Sequence, residues 1–305
     1  MSLDLILPFL RPLAPLLTDP TVSEILVNGP DVVYIERDGV LAPVPELPLD
    51  ARAARRGADH RPRPRHRPLR SAAPLDARLP DGSRVAAAIA PVAVAGTTLT
   101  IRKFGPRLHD LDALIARGML TPGQRDQMTA VLAARRNVLI SGGTGTGKTT
   151  LLNALTNALP ATERLLVIEE TAELRLTHPH VVRWEARRAE VDRPAVTIRD
   201  LVRAALRHRP DRLIVGEVRG PEAFDLLQAL NTGHGGSLTT IHANDATHAL
   251  ARLGHCVLEA ETGLSPRAIR ALVADAIALV VHTHRLADGR RAVAAVQPVQ
   301  PRDRG

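Results

Sequence analysis

The chain has 305 residues, which is enough for two domains that each bury a hydrophobic core. Apolar residues make up 45% and charged residues 24%, so the composition excludes a wholly disordered chain and a collagen-like one. The single cysteine, Cys256, excludes a disulfide scaffold and a cysteine-based zinc site. No apolar stretch approaches the ~18–20 residues that span a bilayer, so we expect a cytoplasmic protein without a transmembrane segment.

The net charge of +8 is concentrated in one arginine-rich segment, residues 52–70, which holds eight arginines and a single acid, Asp59. This segment therefore carries seven of the eight net positive charges. Its prolines prevent a helix and it has no apolar face to bury, so residues 52–75 are predicted to form a disordered loop. Binding to an anionic lipid or a nucleic acid is the alternative. Because no aromatic residue lies among the arginines, a base-stacking platform and a sequence-specific nucleic-acid partner are not expected.

The first third of the chain is typical of a small α+β domain whose sheet is built from hairpins. Turn signals such as Asn28-Gly29 separate short runs of β-branched and aliphatic residues. The strands predicted in this way are 23–27, 32–36, 40–41, 84–89 and 97–101. We assign residues 1–105 to this domain. Residues 106–136 are predicted to be a helical linker, in which Thr121 is a typical N-cap residue before Pro122.

From residue 137 onward, short strands alternate with helices. The predicted strands are rich in Val, Leu and Ile and cover 137–141, 164–169, 212–216 and 237–241. The helices are predicted to begin near Lys148, Thr197 and Pro221, and after Asp245. This alternation favours a parallel sheet with helices on both faces. Residues 137–305 are therefore interpreted as an α/β domain, although the chain beyond Val281 shows no clear pattern.

The strongest motif lies between the first strand and the first helix of this domain and fits the phosphate-binding pattern G-x-x-x-x-G-K-[ST]. Its residues are Gly142, Gly143, Thr144, Gly145, Thr146, Gly147, Lys148 and Thr149, followed by Thr150. Glycines let successive backbone N–H groups turn toward an anion, and the helix that follows adds its positive end. We expect Lys148 to reach the β- and γ-phosphates and the Thr149 hydroxyl to bind Mg²⁺. The flanking strand and helix disfavour the alternative, a flexible glycine-rich turn.

Acidic residues end two other predicted strands, at the sheet edge where ligands bind in open parallel sheets. Glu217 ends the strand at 212–216 and is predicted to activate or hold the attacking water as a general base. Glu169 and Glu170 end the strand at 164–169 and suit Mg²⁺ bound through its waters. The alternatives are a surface glutamate after a strand for Glu217 and the N-cap region of a helix for the pair.

His242 ends a further strand, which is predicted to reach the same edge of the sheet. It is interpreted as a sensor that contacts the γ-phosphate and reports hydrolysis to the helix that follows. The alternative is a structural histidine with satisfied hydrogen bonds. The pair His282 and His284 lacks a third ligand nearby in the sequence, which makes a metal site there a weak interpretation.

Four segments occur in the order and spacing of a known family: the phosphate-binding loop (P-loop) at residues 142–149, residues 168–171, residues 206–220 and residues 232–244. They resemble the Walker A motif, Asp box, Walker B motif and His box of the secretion-superfamily traffic ATPases, in the branch that serves type IV secretion and conjugal transfer. Similarity to the N-terminal domain of that family is carried by residues 23–30, 79–84 and 99–104. The resemblance covers nearly the whole chain.

The resemblance implies a C-terminal RecA-like P-loop NTPase domain with a parallel sheet, preceded by a smaller α+β domain. It implies an Mg²⁺-dependent ATPase in which ATP sits between the two domains. Arg102 matches a family arginine that approaches the nucleotide from the N-terminal domain. The resemblance also implies a homo-hexamer, peripheral on the inner membrane, that docks on the cytoplasmic face of secretion or conjugation channel proteins. Such a motor powers pilus assembly or substrate transfer.

The match departs from the family at two places and leaves rival functions open. Glu170 stands where the family usually has Asp, and the arginine-rich segment replaces an amphipathic helix. A tight-adherence or type II/IV pilus assembly ATPase is the nearest rival. From another class, a RecA-like DNA motor predicts salt-dependent affinity for DNA, which the near-neutral charge outside residues 52–70 disfavours. The third rival is a nucleotide-binding scaffold with impaired catalysis.

Overall fold

The computed structural model describes residues 7–29, 32–37, 39–45, 75–79, 81–89, 92–103, 110–189 and 193–300. The chain divides into two compact units, Met1–Pro106 and Arg107–Gly305. The arginine-rich segment 52–70 lies outside the described residues, so the loop predicted there stays a prediction. The predicted limits of the N-terminal domain, the linker and the C-terminal domain stay predictions as well.

The first unit begins with α1 (Leu7–Thr18), followed in its described part by a sheet of six antiparallel strands. The strands are β1 (Val22–Asn28), β2 (Val33–Arg37), β3 (Val40–Pro43), β4 (Leu75–Arg78), β5 (Arg84–Ala88) and β6 (Thr98–Arg102). They are ordered β3-β2-β1-β6-β5-β4 across the sheet. Alternate side chains of the central strands, such as Ile25 and Ile101, are buried, and α1 adds Leu13 to this core. The predicted α+β module is therefore present, with α1 and β4 as additional elements.

The second unit contains, in its described part, a seven-stranded sheet ordered β13-β12-β7-β11-β10-β8-β9. The strands are β7 (Val138–Gly142), β8 (Leu165–Glu169), β9 (Val181–Glu185), β10 (Arg212–Val218), β11 (Leu238–His242), β12 (Leu279–Arg285) and β13 (Arg291–Pro298). The edge strand β13 is antiparallel to β12, and the other neighbours are parallel. The helices are α2 (Leu111–Ala116), α3 (Pro122–Ala133), α4 (Lys148–Asn157), α5 (Ile198–Ala205), α6 (Glu222–Asn231), α7 (Ala246–Leu258) and α8 (Pro266–Ala276).

Side-chain caps explain where several of these helices begin. The Thr121 hydroxyl accepts a hydrogen bond from the N–H of Gln124, and the Gln124 side chain accepts one from the N–H of Thr121. This capping box starts α3. Thr197 and Asp200 form the same arrangement at the start of α5, and Asp245 caps α7. The helix starts predicted at these positions are therefore correct.

Two hydrophobic cores lie on opposite faces of the second sheet, because its central strands are buried on both sides. Leu139 of β7 belongs to the core that α5, α6, α7 and α8 cover. Its neighbour Ile140 belongs to the core that α2, α3 and α4 cover, and there Leu114 of α2 and Met128 of α3 are fully buried. The segment predicted as a helical linker thus packs two helices against this sheet. With helices on both faces of a largely parallel sheet, the predicted fold class is confirmed.

The chain beyond Val281 completes the sheet as the end of β12 and as β13, although its sequence shows no clear pattern. The side chains of β13 are mostly half-buried or exposed, so this edge strand lacks the continuous apolar run that marks β7 and β8. Across the described part of the chain, every helix is too short or too polar to cross a membrane.

A buried ion-pair network joins several elements of the second unit at the start of β10. It lies at the edge of the sheet opposite to the carboxyl ends of the parallel strands. Arg212 is only 1% exposed and pairs with the carboxylate of Glu163. Its guanidinium also donates to the carbonyl oxygens of Leu132 and Gly236, both at 2.9 Å. Arg135 binds the same carboxylate at 2.8 Å. The network therefore joins the end of α3, the start of β10 and the loop before β11.

Candidate nucleotide-binding site

Strand register brings several predicted site residues to one edge of the second sheet. Gly142 at the end of β7 is paired with His242 of β11 on one side and with Thr283 of β12 on the other. Glu217 lies near the end of β10, the next strand beyond β11. This is the edge formed by the carboxyl ends of parallel strands, where open α/β sheets bind their ligands.

The P-loop between β7 and α4 begins with a glycine that has no room for a side chain. The backbone of Gly142 has a φ of +154°, and a Cβ atom there would lie 2.6 Å from the hydroxyl oxygens of Thr146 and Thr283. The Thr146 hydroxyl also donates to the carbonyl oxygen of Gly143 at 3.0 Å, which closes the loop on itself. Gly147 precedes α4 without a side-chain cap, so the first N–H groups of this helix can bind an anion.

Lys148 is the first residue of α4, and its side chain folds back into the P-loop. The residue is only 7% exposed, and its ammonium donates to the carbonyl oxygens of Gly142 at 3.0 Å and Gly143 at 2.7 Å. The same Nζ lies 3.4 Å from Nδ1 of His242. Lys148 can therefore exchange these carbonyl groups for phosphate oxygens without leaving the loop.

A bulge in β10 lies directly before and at Glu217. Its register with β11 advances from Val215 opposite Thr239 to Val218 opposite Ile241, so β10 has one residue more than its partner across this step. Such a bulge bends the strand and changes the direction of a side chain at its tip. The irregularity therefore sets the direction of the Glu217 carboxylate.

The two oxygens of the Glu217 carboxylate have different surroundings. Oε2 accepts a hydrogen bond of 2.8 Å from Arg219. Oε1 lies 2.9 Å from Nε2 of His242, but the angles are not those of a hydrogen bond, and this buried oxygen has no hydrogen-bond partner in the protein. A buried acceptor without a donor is costly, so Oε1 is suited to receive a proton or a hydrogen bond from a bound molecule.

The His242 imidazole lies between Lys148 and Glu217 and is 41% exposed. Burial lowers the pKa of His242 below its ordinary value, the positive charge of Lys148 lowers it further, and the Glu217 carboxylate acts in the opposite direction. The imidazole is therefore neutral near pH 7, with one ring nitrogen as donor and the other as acceptor.

Glu169 ends β8, and the protein itself uses both of its carboxylate oxygens. Oε1 accepts hydrogen bonds from the N–H groups of Glu173 and Leu174 at 2.8 and 2.9 Å, and Oε2 lies 3.4 Å from a guanidinium nitrogen of Arg183. Burial raises the pKa of Glu169 above its ordinary value, and the two backbone N–H groups oppose that shift. The structure therefore places Glu169 as the residue that shapes the loop after β8, while its predicted part in holding Mg²⁺ stays a prediction.

Arg219 is a charged residue of this site that sequence reasoning missed. One guanidinium nitrogen binds Glu217 at 2.8 Å, and another binds Glu170 at 2.7 Å. Arg219 follows Glu217 by two residues, so an extended strand would place both side chains on the same face. That spacing was a usable signal, but the second partner, Glu170, comes from a different strand end.

The remaining predicted site residues are three threonines of the P-loop and α4, and Arg102 in the first unit. Thr144 is exposed on the P-loop, and Thr149 and Thr150 are half-buried in the first turn of α4. Arg102 ends β6 in the first unit, where it pairs with Glu24 at 2.9 Å. The approach of Arg102 to a nucleotide stays a prediction.

The oxygen atoms at this edge fit a magnesium ion that arrives with a nucleotide. Mg²⁺ prefers oxygen ligands and keeps several waters and phosphate oxygens in its coordination sphere. The Thr149 hydroxyl and the half-exposed Glu170 carboxylate offer oxygen atoms of this kind. Among the residues that the structure describes, no three His, Cys, Asp or Glu side chains form a metal site of their own.

Comparison with known proteins identifies the family. A family model described as “Type II/IV secretion system protein” matches residues 10–297, which is nearly the whole chain. The chain belongs to the type II/IV secretion system protein family. This membership confirms the resemblance that the four motifs indicate.

Individual relatives within the type II/IV secretion family agree with this assignment. A Mycobacterium tuberculosis protein whose name assigns it to conjugal transfer is 40% identical over 292 residues, which cover 93% of this chain and 82% of that protein. The conjugal transfer protein TrbB of Rhizobium radiobacter is 35% identical over 284 residues, covering 90% and 83%. The crystal structure of the VirB11 ATPase from the Brucella suis type IV secretion system, in complex with sulphate, is 29% identical with a TM-score of 0.51, covering 95% and 93%.

Proposed function

We propose that this chain is an Mg²⁺-dependent ATPase that powers conjugal transfer or type IV secretion. The observation that carries the proposal is the convergence of Lys148, Glu217 and His242 at the P-loop, since this set joins a phosphate ligand to a base and a polar sensor. Family membership supports ATP as the substrate, because the similar VirB11 structure is that of an ATPase.

In this proposal the P-loop binds the triphosphate. The N–H groups at the start of α4 and the Lys148 ammonium bind phosphate oxygens, and the lysine gives up its contacts with Gly142 and Gly143. Thr149 and Glu170 would hold Mg²⁺, Glu170 through a water molecule, and the ion would supply positive charge for the β- and γ-phosphates.

Glu217 acts on the attacking water. Its Oε1 is the buried acceptor without a hydrogen-bond partner, so it takes the water proton as the oxygen attacks the γ-phosphorus. The neutral His242 lies against both Glu217 and Lys148, and it contacts the γ-phosphate and responds to its loss. Because α7 begins shortly after His242, this response reaches a helix directly.

The proposal includes an assembly. A homo-hexamer, peripheral on the cytoplasmic face of the inner membrane, docks on secretion or conjugation channel proteins and drives pilus assembly or substrate transfer. Arg102 supplies a cation from the N-terminal domain to the nucleotide. The similarity to TrbB and to a type IV secretion ATPase supports this arrangement.

Two substitutions test the catalytic assignment. Glu217→Gln removes the base but keeps the side-chain size, so kcat for ATP is expected to fall at least about 100-fold with nucleotide binding preserved. Lys148→Ala is expected to abolish turnover and weaken nucleotide binding. Phosphate release and binding of a fluorescent ATP analogue measure the two effects.

Asp126→Asn is the matched control for these variants, because it removes an exposed carboxylate on α3. It is expected to keep the wild-type rate. If the Glu217→Gln or the Lys148→Ala variant hydrolyses ATP as fast as the wild type, the catalytic assignment is refuted. If hydrolysis by the wild-type protein requires added DNA, the result points to a DNA motor.

A further inference from the structure

The guanidinium of Arg219 contacts two carboxylates with two different nitrogens. Nη2 binds Oε2 of Glu217 at 2.8 Å, and Nη1 binds Oε2 of Glu170 at 2.7 Å. Glu217 belongs to β10 and Glu170 follows β8, the neighbouring strand in the sheet. The planar fork of an arginine can hold two acceptors in a fixed arrangement, which a lysine ammonium cannot do.

The backbone at Arg219 is held in place by hydrogen bonds to a buried glutamate. Glu222, at the start of α6, is 8% exposed, and its Oε1 accepts hydrogen bonds from the N–H groups of Arg219 at 2.7 Å and Gly220 at 3.0 Å. The turn between β10 and α6 is therefore held by a buried carboxylate. Although the Arg219 side chain is 60% exposed, the backbone from which it extends has a defined position.

Arg219 leaves the two oxygens of Glu217 unequal. Oε2 is engaged by the guanidinium, while Oε1 is buried beside His242 without a hydrogen bond. Rotation of the carboxylate by half a turn would exchange the two oxygens, and the contact with Arg219 opposes that rotation. Oε1 of Glu217 is thereby kept beside His242, where it accepts no hydrogen bond from the protein.

We propose that Arg219 is a positioning residue for ATP hydrolysis, which holds Oε2 of Glu217 so that Oε1 alone accepts the proton of the attacking water. The inference rests on the proposed function. In the step concerned, an O–H bond of water breaks and its proton moves to Oε1. The water oxygen bonds to the γ-phosphorus, and the bond from that phosphorus to the bridging oxygen breaks, with its electron pair leaving on ADP. Arg219 touches neither water nor phosphate in this step.

Glu170 gives the fork its second anchor. With Arg219 removed, the carboxylates of Glu170 and Glu217 lose the cation that lies between them, and Glu217 can turn. With only Glu170 removed, Arg219 keeps its contact with Glu217. For the position of the Glu217 carboxylate, removal of Arg219 is therefore more harmful than removal of the Glu170 charge.

Steady-state hydrolysis by the full-length Arg219→Ala and Arg219→Lys variants tests this. For Arg219→Ala we expect kcat to fall roughly 10- to 100-fold, part of the about 10²–10⁴-fold that a general base contributes. KM and the affinity for a fluorescent ATP analogue should stay within about threefold, because Arg219 does not bind the nucleotide. Arg219→Lys keeps the charge but loses the fork, so we expect little rescue.

Arg203→Ala is the matched control. Arg203 is a half-exposed arginine in the last turn of α5 that pairs with Asp225 at 2.7 Å, and its loss should leave kcat unchanged. A thermal melt of each variant separates loss of fold from loss of positioning. If the wild type hydrolyses ATP and folded Arg219→Ala or Arg219→Lys retains its kcat, the positioning role is overturned while the ATPase stands. If the wild type itself does not hydrolyse ATP, the proposed function fails.

Discussion

At the residue scale, the site holds its charges in a line that runs from Glu170 through Arg219 and Glu217 to His242 and Lys148. The side-chain nitrogen or oxygen atoms of each residue lie within 3.5 Å of those of the next. A change in the charge of one residue therefore alters the electrostatic energy of its neighbours. His242 is the neutral member of the line because burial disfavours its charged form. Its protonation would place a third cation beside Lys148 and Arg219.

The lowered pKa of His242 predicts a pH dependence of stability. Between the folded pKa and the ordinary value of about 6.5, the unfolded chain binds more protons at this position than the folded chain does. Stability from this group is therefore present above that window and is lost as the pH falls through it. Thermal melts from pH 8 to pH 5 should show the wild type losing more stability on acidification than His242→Asn. Parallel curves for the two proteins contradict the prediction.

Sequence reasoning could find Lys148, Glu217 and His242 because motif and topology place them at strand ends along one edge. It could not assign Glu169 and Arg219 their contacts. The partners of Glu169 are backbone N–H groups of the following loop, and the direction of Glu217 depends on a one-residue bulge that no periodicity encodes. Side-chain direction at an irregular strand end is a tertiary property.

At the scale of elements, the sequence predicts the helices and strands that have strong local signals and fails to predict those that lack them. α3, α5 and α7 begin at capping residues, and β7 and β8 are buried throughout and begin with apolar runs, so their prediction is correct. β9 and β13 are edge strands with half-exposed side chains, and their pairing is fixed by neighbours distant in sequence. Edge strands of this kind carry little of the alternation or apolar character that identifies a strand.

Replacement by alanine should lower the free energy of unfolding by different amounts at two glycines of the P-loop. A Cβ at Gly142 meets the Thr283 backbone and two hydroxyl oxygens, whereas a Cβ at Gly145 meets nothing within 4 Å. Gly145→Ala should cost roughly 1–2 kcal/mol for its positive φ of 71°. Gly142→Ala should cost about 1–3 kcal/mol more, because packed atoms must move. Urea unfolding measures both variants, and equal costs would show that the crowding at Gly142 is relieved without strain.

At the scale of the whole molecule, the chain combines two units that each have a hydrophobic core of their own. The P-loop, Glu217 and His242 all belong to the second unit, whereas Arg102 belongs to the first. These three parts of the candidate site are thus supplied by one unit. The contribution proposed for Arg102 therefore comes from the first unit.

The proposed hexamer predicts a rate that depends on protein concentration. If sites are completed on assembly, hydrolysis per chain should rise with concentration, in step with the hexamer fraction from size-exclusion chromatography with light scattering. Adding Lys148→Ala chains to wild-type chains should lower the rate by more than dilution alone. A constant rate per chain in a monomeric sample contradicts the ring.

The buried Arg212 network constrains how the strands of the second unit can move. Because Arg212 fastens the start of β10 to the segment that leads into β11, these strands are anchored at the end far from the P-loop. Sliding along the strand axes would break contacts that have no water to replace them. We therefore expect any movement that begins at the carboxyl ends of β10 and β11 to appear in α6 and α7, the helices that follow these strands, rather than as sliding of the strands themselves.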